Sequence, residues 1–385
     1  MATDRDLRLD FFRGLGLLFI FLDHIPENII SYFTLGNVAF CDAAELFVFI
    51  SGFTAALVFG RVMEQQGIAF AGVQILKRCW TLYVAHVFLF VIFIAQVSYT
   101  AARFDNPMFL DEMKVADFLQ EPHIAVMKAV MLQFQPEFMD ILPLYIVLLL
   151  GLAVALPILR AWPTLIVGLS IALYIAAAFF HFNLRTYPNG VWYFNPFAWQ
   201  ILFVLGAASA LRHMEGAPRL LSPRLIWLSA GFLAAMFVVR SAMTLVSLFG
   251  DLPPAFVEAV WTIADKTNLG PLRLLNFLAL AHVTVTLVRR DHPMFNSLVT
   301  EPVILCGQHS LNIFCLGIFL SVLGHFVLSE FDSTLLTQFL VSGGGVLVMF
   351  GSAYFLAWSK QRRRPVTARG AVASRPVQTV VQGGE

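Results

Sequence analysis

Charge is what this sequence has least of. Asp, Glu, Lys and Arg make up only 13% of its 385 residues, about half of the roughly 25% found in an ordinary soluble domain. The complement is apolar: 59% of the chain is hydrophobic and 38 residues are Phe. No soluble core could bury that much, so lipid must be the solvent for most of the chain. A formal net charge of +1, with no basic block outside the C-terminal tail, excludes a nucleic-acid-binding surface. The four cysteines, Cys41, Cys79, Cys306 and Cys315, lack the spacing of a metal site, a redox motif or a disulfide framework. They read as small residues packed between helices, and no metal is expected. No Ala-x-Ala cleavage site follows the first apolar run, which itself carries Asp23 and His24; it reads as a retained first helix rather than a signal peptide. Internal repeats are absent too, which weighs against an inverted-repeat transporter.

A span needs about 20 mostly apolar residues to cross the hydrocarbon. Ten stretches qualify: 11–31, 40–59, 79–99, 141–159, 163–182, 197–211, 225–248, 271–288, 302–326 and 335–358, the sixth being the shortest. Residues 121–135 are apolar on one side only and too short to span, so an interfacial or re-entrant helix is expected there. The predicted fold is an all-α, polytopic membrane helix bundle of about ten transmembrane helices over residues 1–359. A basic tail, 360–385, has the composition of a disordered segment.

Ten spans put both termini on one side. With that side cytoplasmic, 18 of the 25 Lys and Arg fall inside, six fall outside (Arg103, Lys114, Lys128, Arg185, Lys266 and Arg273), and Arg240 lies within a span. This is the asymmetry that the positive-inside rule requires. Trp192, Tyr193 and Trp199 are then expected at the outer interface as amphipathic anchors.

Helix rise places the polar residues in depth. His24 lies about 20 Å above Asp10 at 1.5 Å per residue. Asp42 and Glu45 sit in the outer third of the descending second span, and the ascending seventh carries Arg240 to a similar level. Asp23, His24, Asp42, Glu45 and Arg240 are therefore expected to converge on one polar layer below the outer surface, since ionisable groups in a span face a partner or a wet cavity. Two plainer readings stand beside this. Asp42 has the position of a helix N-cap, and Asp23 points about 100° away from His24 on a helix. His86, His181, His282, His309 and His325 read as histidines satisfied by interhelical hydrogen bonds.

At the inner end Asp10 and Arg13 stand at i and i+3, close enough to pair on one helix face. Lys77 and Arg78 open the third span at the same level. These charges suit either positive-inside anchoring or a basic mouth for a phosphate-bearing cytoplasmic ligand, which guanidinium forks bind well.

Two patterns carry a resemblance. Arg8-Leu-Asp-Phe-Phe-Arg-Gly, with Arg13 followed after ten residues by His24, resembles the first helix of the acyltransferase 3 superfamily of membrane O-acyltransferases. Glu45-Leu-Phe-Val-Phe-Ile-Ser-Gly-Phe53 is similar to that superfamily's second helix, which ends in Ser-Gly-Phe or Ser-Gly-Tyr. Within the superfamily, Asp10-Phe-Phe-Arg-Gly, Asp23-His24-Ile-Pro26 and Asp42-Ala-Ala-Glu45 resemble the OpgC family, and the likeness extends towards Arg78-Cys-Trp-Thr-Leu-Tyr-Val-Ala-His86. The third helix departs from the superfamily pattern of recurring arginines, having only Lys77 and Arg78.

The resemblance implies a multi-pass protein of the bacterial inner membrane. It would transfer succinyl groups from succinyl-CoA, a donor substrate and not a tightly bound cofactor, to osmoregulated periplasmic glucans. On that reading His24 is the general base, with Glu45 as its orienting carboxylate and Asp23 as second candidate. Arg13, Lys77 and Arg78 would bind the coenzyme phosphates. Arg240, with Asp42, would face substrate, Arg240 holding a tetrahedral oxyanion or the far carboxylate of the succinyl group. Direct transfer and an acyl-histidine relay both remain open. Rival classes are a proton-coupled transporter, with the same polar residues as a proton relay, and an O-acetyltransferase of another envelope polysaccharide.

Overall fold

The computed structural model describes residues 6–215, 223–250 and 252–362. Within them the chain is helical: α1 (Leu7–Asp23), α2 (Leu35–Val38), α3 (Ala43–Gln66), α4 (Ile68–Phe104), α5 (Met108–Glu112), α6 (Ala116–Gln120), α7 (Pro122–Val130), α8 (Ile141–Ala161), α9 (Pro163–Phe180), α10 (Pro196–Met214), α11 (Pro223–Phe249), α12 (Pro254–Ile263), α13 (Pro271–Leu287), α14 (Glu301–Gln308), α15 (Ser310–Glu330) and α16 (Leu335–Arg362). One two-residue β-ribbon, Arg185–Thr186 with Gly190–Val191, joins α9 to α10. Among the described residues seven helices are long and apolar enough to cross a membrane: α3, α4, α8, α9, α15 and most of α11 and α16. The other expected spans correspond to the 17-residue α1, the 19-residue α10 and the 17-residue α13.

Helix direction alternates, and the ends that meet show it. At one end Arg273, in the first turn of α13, reaches Asp42 and Glu45 at the start of α3. At the other, Arg160 near the end of α8 pairs with Glu64 near the end of α3. There too Arg8, at the start of α1, donates to the Val288 carbonyl just past α13 (3.1 Å). Close approach of backbones holds the bundle together. A Cβ on Gly14 of α1 would overlap the Val303 carbonyl oxygen of α14, and one on Gly307 would overlap that of Asp10. Gly52 and Gly206 do the same for α3 and α10, so the glycine of the Ser-Gly-Phe motif is a packing requirement. Without a hydrophobic drive between helices in lipid, small residues at the contact are what allow dispersion to act.

Several boundaries differ from expectation. The first span stops at Asp23, because Pro26 and the left-handed Glu27 (φ 58°) end it. Asn28 then bonds to Ser342 of α16 (3.0 Å). The third helix begins at Ile68 and runs 37 residues, so Lys77 and Arg78 lie well inside it and do not open it. The ninth span is broken at His309 into α14 and α15. Helix α16 continues to Arg362, past the expected boundary at 359; the rest of the tail lies outside the described residues. The 121–135 segment forms the short α7. Trp192 and Trp199 are buried, the latter donating its indole N–H to the Lys266 and Thr267 carbonyls, so they brace loops and do not anchor the interface. Tyr193 alone of the three is exposed.

Candidate functional site

Helices α1, α3, α8 and α13 bring charged side chains to the end of the bundle that holds His24. Asp42 is the N-cap of α3: its Oδ1 accepts from the Ala44 N–H (2.8 Å), while Glu45 Oε2 accepts from the Asp42 N–H (2.8 Å), a reciprocal capping box. Glu45 is fully buried and lies in the first turn of α3. Its remaining oxygen, Oε1, accepts from Arg273 Nε (2.6 Å). Asp42 Oδ2 takes both Arg273 Nη2 (2.9 Å) and Lys266 Nζ (2.7 Å). Two carboxylates and two cations therefore close a neutral network, as buried charge demands. Lys266 also faces the rings of Tyr193 and Phe194 at 5.8 Å. Burial works against its charge, but Asp42 and then Tyr193 more than offset this and hold its pKa above the ordinary lysine value.

His24 caps the C-terminus of α1 at this level, its backbone N–H donating to Ile20 (3.1 Å). Its ring stacks on Phe138, centroids 4.2 Å apart and planes 26° from parallel. Nδ1 has no hydrogen-bond partner among the described residues. Glu45 is not paired with it, since both Glu45 oxygens are committed to Arg273 and the Asp42 backbone. Asp23 turns away, as helix geometry requires, and accepts from Thr34 Oγ1 (2.5 Å). Arg240 of α11 reaches the same end, donating to the Gly36 carbonyl and Asn37 Oδ1 (both 3.3 Å) and lying 5.3 Å from the centroid of the Trp261 ring. Gly36 itself stands between Asp23 and Asp42. The five expected residues thus gather at one end, but the partners run Asp42–Glu45–Arg273 and not Glu45–His24.

Sequence reasoning missed Lys266, Arg273 and Asp140. The first two had been placed with the outside charges, although Arg273 falls within the expected span 271–288, and a cation so placed is itself a signal. Asp140 immediately precedes α8. Its withdrawal from water, and then the Glu137 carboxylate, push its pKa up to about 7 against the pull of Lys114 and Lys266. Glu137 is in turn paired with Lys114 (2.6 Å).

A cavity opens beneath this cluster. Arg13, Ser51, Thr54, Arg78, Tyr145 and Ser310 line its polar part, and it encloses about 750 Å³ including its open mouth. Arg13 donates to Thr54 Oγ1 (2.9 Å) and stands 3.9 Å from Asp10, as their spacing predicted. Arg78 has no ion pair among the described residues. Lys77, one position earlier on α4, is exposed and lies outside the cavity, because neighbours on a helix point about 100° apart. Along α3 the lining runs from Val58 and Phe59 to Phe47, about 18 Å at helical rise. Its far end, at Phe47 and Leu142, is two residues from Glu45 and from Asp140. Of the histidines read as satisfied, His325 does bond across helices, to Glu112 of α5 (2.9 Å). By contrast, His86 leaves both ring nitrogens and His282 its Nε2 without a partner among the described residues.

No curated protein matches the chain, and no solved structure does. A family profile described as OpgC protein matches residues 5–361, nearly the whole chain and every helix described above. With a basic cavity leading towards a histidine-bearing polar cluster in a bundle of apolar helices, this chain belongs to the OpgC family, a family of membrane acyltransferases acting on glucans.

Proposed function

We propose that this protein transfers succinyl groups from cytoplasmic succinyl-CoA to hydroxyls of osmoregulated periplasmic glucans, in the bacterial inner membrane, with about ten spans and both termini cytoplasmic. The observation that carries the reading is the cavity of Arg13 and Arg78, which extends along α3 to within two residues of the Glu45 and Asp140 end. A thioester carried on a long phosphorylated arm fits that shape, its phosphates at the guanidinium groups and its acyl carbon near the cluster. Lys77, outside the cavity, is assigned to anchoring.

A sugar hydroxyl is too weak an acid to attack a thioester unaided. Burial, and then Lys266, hold the pKa of His24 below the ordinary imidazole value, so its ring is neutral and takes the hydroxyl proton as the oxygen bonds to the acyl carbon. The tetrahedral oxyanion forms beside a fixed cation, for which Arg240, outside the closed carboxylate network, is the candidate. Collapse breaks the carbon–sulfur bond, and the imidazolium returns its proton to the departing thiolate. Phe138 takes over the orienting role expected of Glu45, by stacking and not by hydrogen bonding. Glu45 and Asp42 act one step back, by fixing Arg273 and Lys266. Asp23, tied to Thr34, holds the chain that follows His24.

His24→Asn decides the assignment. A folded variant with glucan acylation reduced by roughly 10²-fold, the scale for losing a positioned base, is the expected result in a mass-spectrometric assay of periplasmic glucans. Near-normal acylation would overturn it. The orientation is tested separately: a reporter at Asn189 is expected to read periplasmic and one after Lys360 cytoplasmic.

A further inference from the structure

A second cavity lies on the far side of α4, away from Arg13 and Arg78. Its walls are α4, α6 and α7, it holds about 860 Å³ including its mouth, and its lining is apolar except at two points, His86 and Ser98. His86 is 0% exposed. Neither of its ring nitrogens has a partner among the described residues, and nor does Ser98 Oγ. A neutral imidazole carries one donor and one acceptor, so this buried ring presents both to the cavity unanswered. Water is a poor answer. A buried water needs two to four polar partners, whereas His86 and Ser98 stand twelve residues apart on α4, about 18 Å at helical rise, with Phe90 and Ile94 between them.

The mouth says what can enter. Val91, Leu119, Val126 and Val130 rim it and are 44–59% exposed. In a membrane protein such a rim faces lipid, so the slot opens sideways into the bilayer. Its length of about 18 Å is close to one leaflet of a hydrocarbon core about 30 Å thick, and its volume is in the range of a ligand pocket. We infer that this slot between α4 and α6–α7 is a binding site for one acyl chain of a bilayer phospholipid, with Ser98, at the end of the expected span 79–99, hydrogen-bonding the lipid's ester region and the chain running along the slot past His86. The site is distinct from the donor cavity and independent of the acyl-transfer reading. It sits against the segment that carries the site's stacking ring: Phe90 packs on Phe118 and Phe134, four residues before Phe138.

The test uses the full-length protein in nanodiscs of phosphatidylethanolamine and phosphatidylglycerol, doped with a phosphatidylethanolamine bearing a diazirine in one acyl chain. After irradiation, labelled peptides are mapped by mass spectrometry. Labelling of residues 86–98 and 118–130 is expected to exceed that of the lipid-facing α9 and α11 by at least fivefold. Val126→Trp, at the exposed rim, fills the slot without disturbing the core and should cut that labelling about tenfold. Ser98→Ala, which strands no partner, should cut it about threefold with the melting temperature undiminished. Labelling no higher than on α9 and α11, or unchanged in both variants, would overturn the site.

Discussion

The two ends of the cavity proposed to hold the donor handle charge in opposite ways. At the His24 end each carboxylate of the core network meets a cation within 3 Å, and Asp42, Glu45, Lys266 and Arg273 neutralise one another. At the other end Arg13 leans on a hydroxyl with its carboxylate 3.9 Å away, and Arg78 lines the cavity with no ion pair among the described residues. A closed network is suited to holding geometry, because charge already spent on a neighbour is not available to a ligand. An excess of guanidinium at a cavity is suited to binding an anion that arrives and leaves. On the proposed reading, the closed network keeps geometry and the open guanidinium end supplies affinity for the donor.

Breaking the closed network should have the largest effect. Arg273→Met strands the buried Glu45 carboxylate while Asp42 keeps Lys266, and it is expected to cost about 3–5 kcal/mol, seen as a lowered unfolding temperature of the purified protein. Adding Glu45→Gln, which removes the stranded charge and leaves the Asp42–Lys266 pair intact, should recover part of that loss. Full stability in the single variant would contradict the network's role.

The open end should respond in affinity and not in stability. Arg78→Ala is expected to raise the acyl-CoA KM about tenfold, the scale of one hydrogen bond to a charged group, with kcat little changed. An unaltered KM would return Arg78 to membrane anchoring.

Asp140 sharpens the comparison through pH. Its pKa is about 7 in the folded chain against an ordinary 3.8, so the folded state keeps a proton that the unfolded state loses. The stability this supplies is complete below about pH 4 and is lost as pH rises through 7. Asp140→Asn, which cannot ionise, should therefore show a shallower fall in melting temperature between pH 4 and 7 than the parent protein. Parallel curves would remove Asp140 from the cluster's electrostatics. The smallest effect is expected of Lys77→Ala, outside the cavity: KM should move less than twofold, and a change as large as that of Arg78→Ala would refute the separation of the two residues.

Much of this was legible in residue order. Apolar runs located a helix at each of the ten expected stretches, but α1 ends eight residues before its run does, α3 and α4 outrun theirs, and the ninth run is broken at His309. Asp10 and Arg13 paired as their spacing required, and the five polar residues assigned to one level do gather at one end. Partner choice was not legible. Glu45 follows a capping position, and whether it would serve His24 or a cation depended on what α13 brought to it.

Composition determined the apolar character, hydropathy the helices and helical rise which charges share an end of the bundle, because these depend on local geometry with a fixed repeat. Only the tertiary structure decided that Arg273 and Lys266 close on Asp42 and Glu45, that Phe138 stacks on His24, and that Arg78 rather than Lys77 lines the cavity. Those contacts join residues far apart in the chain, and a 100° turn between helical neighbours selects among them only once the helices are packed.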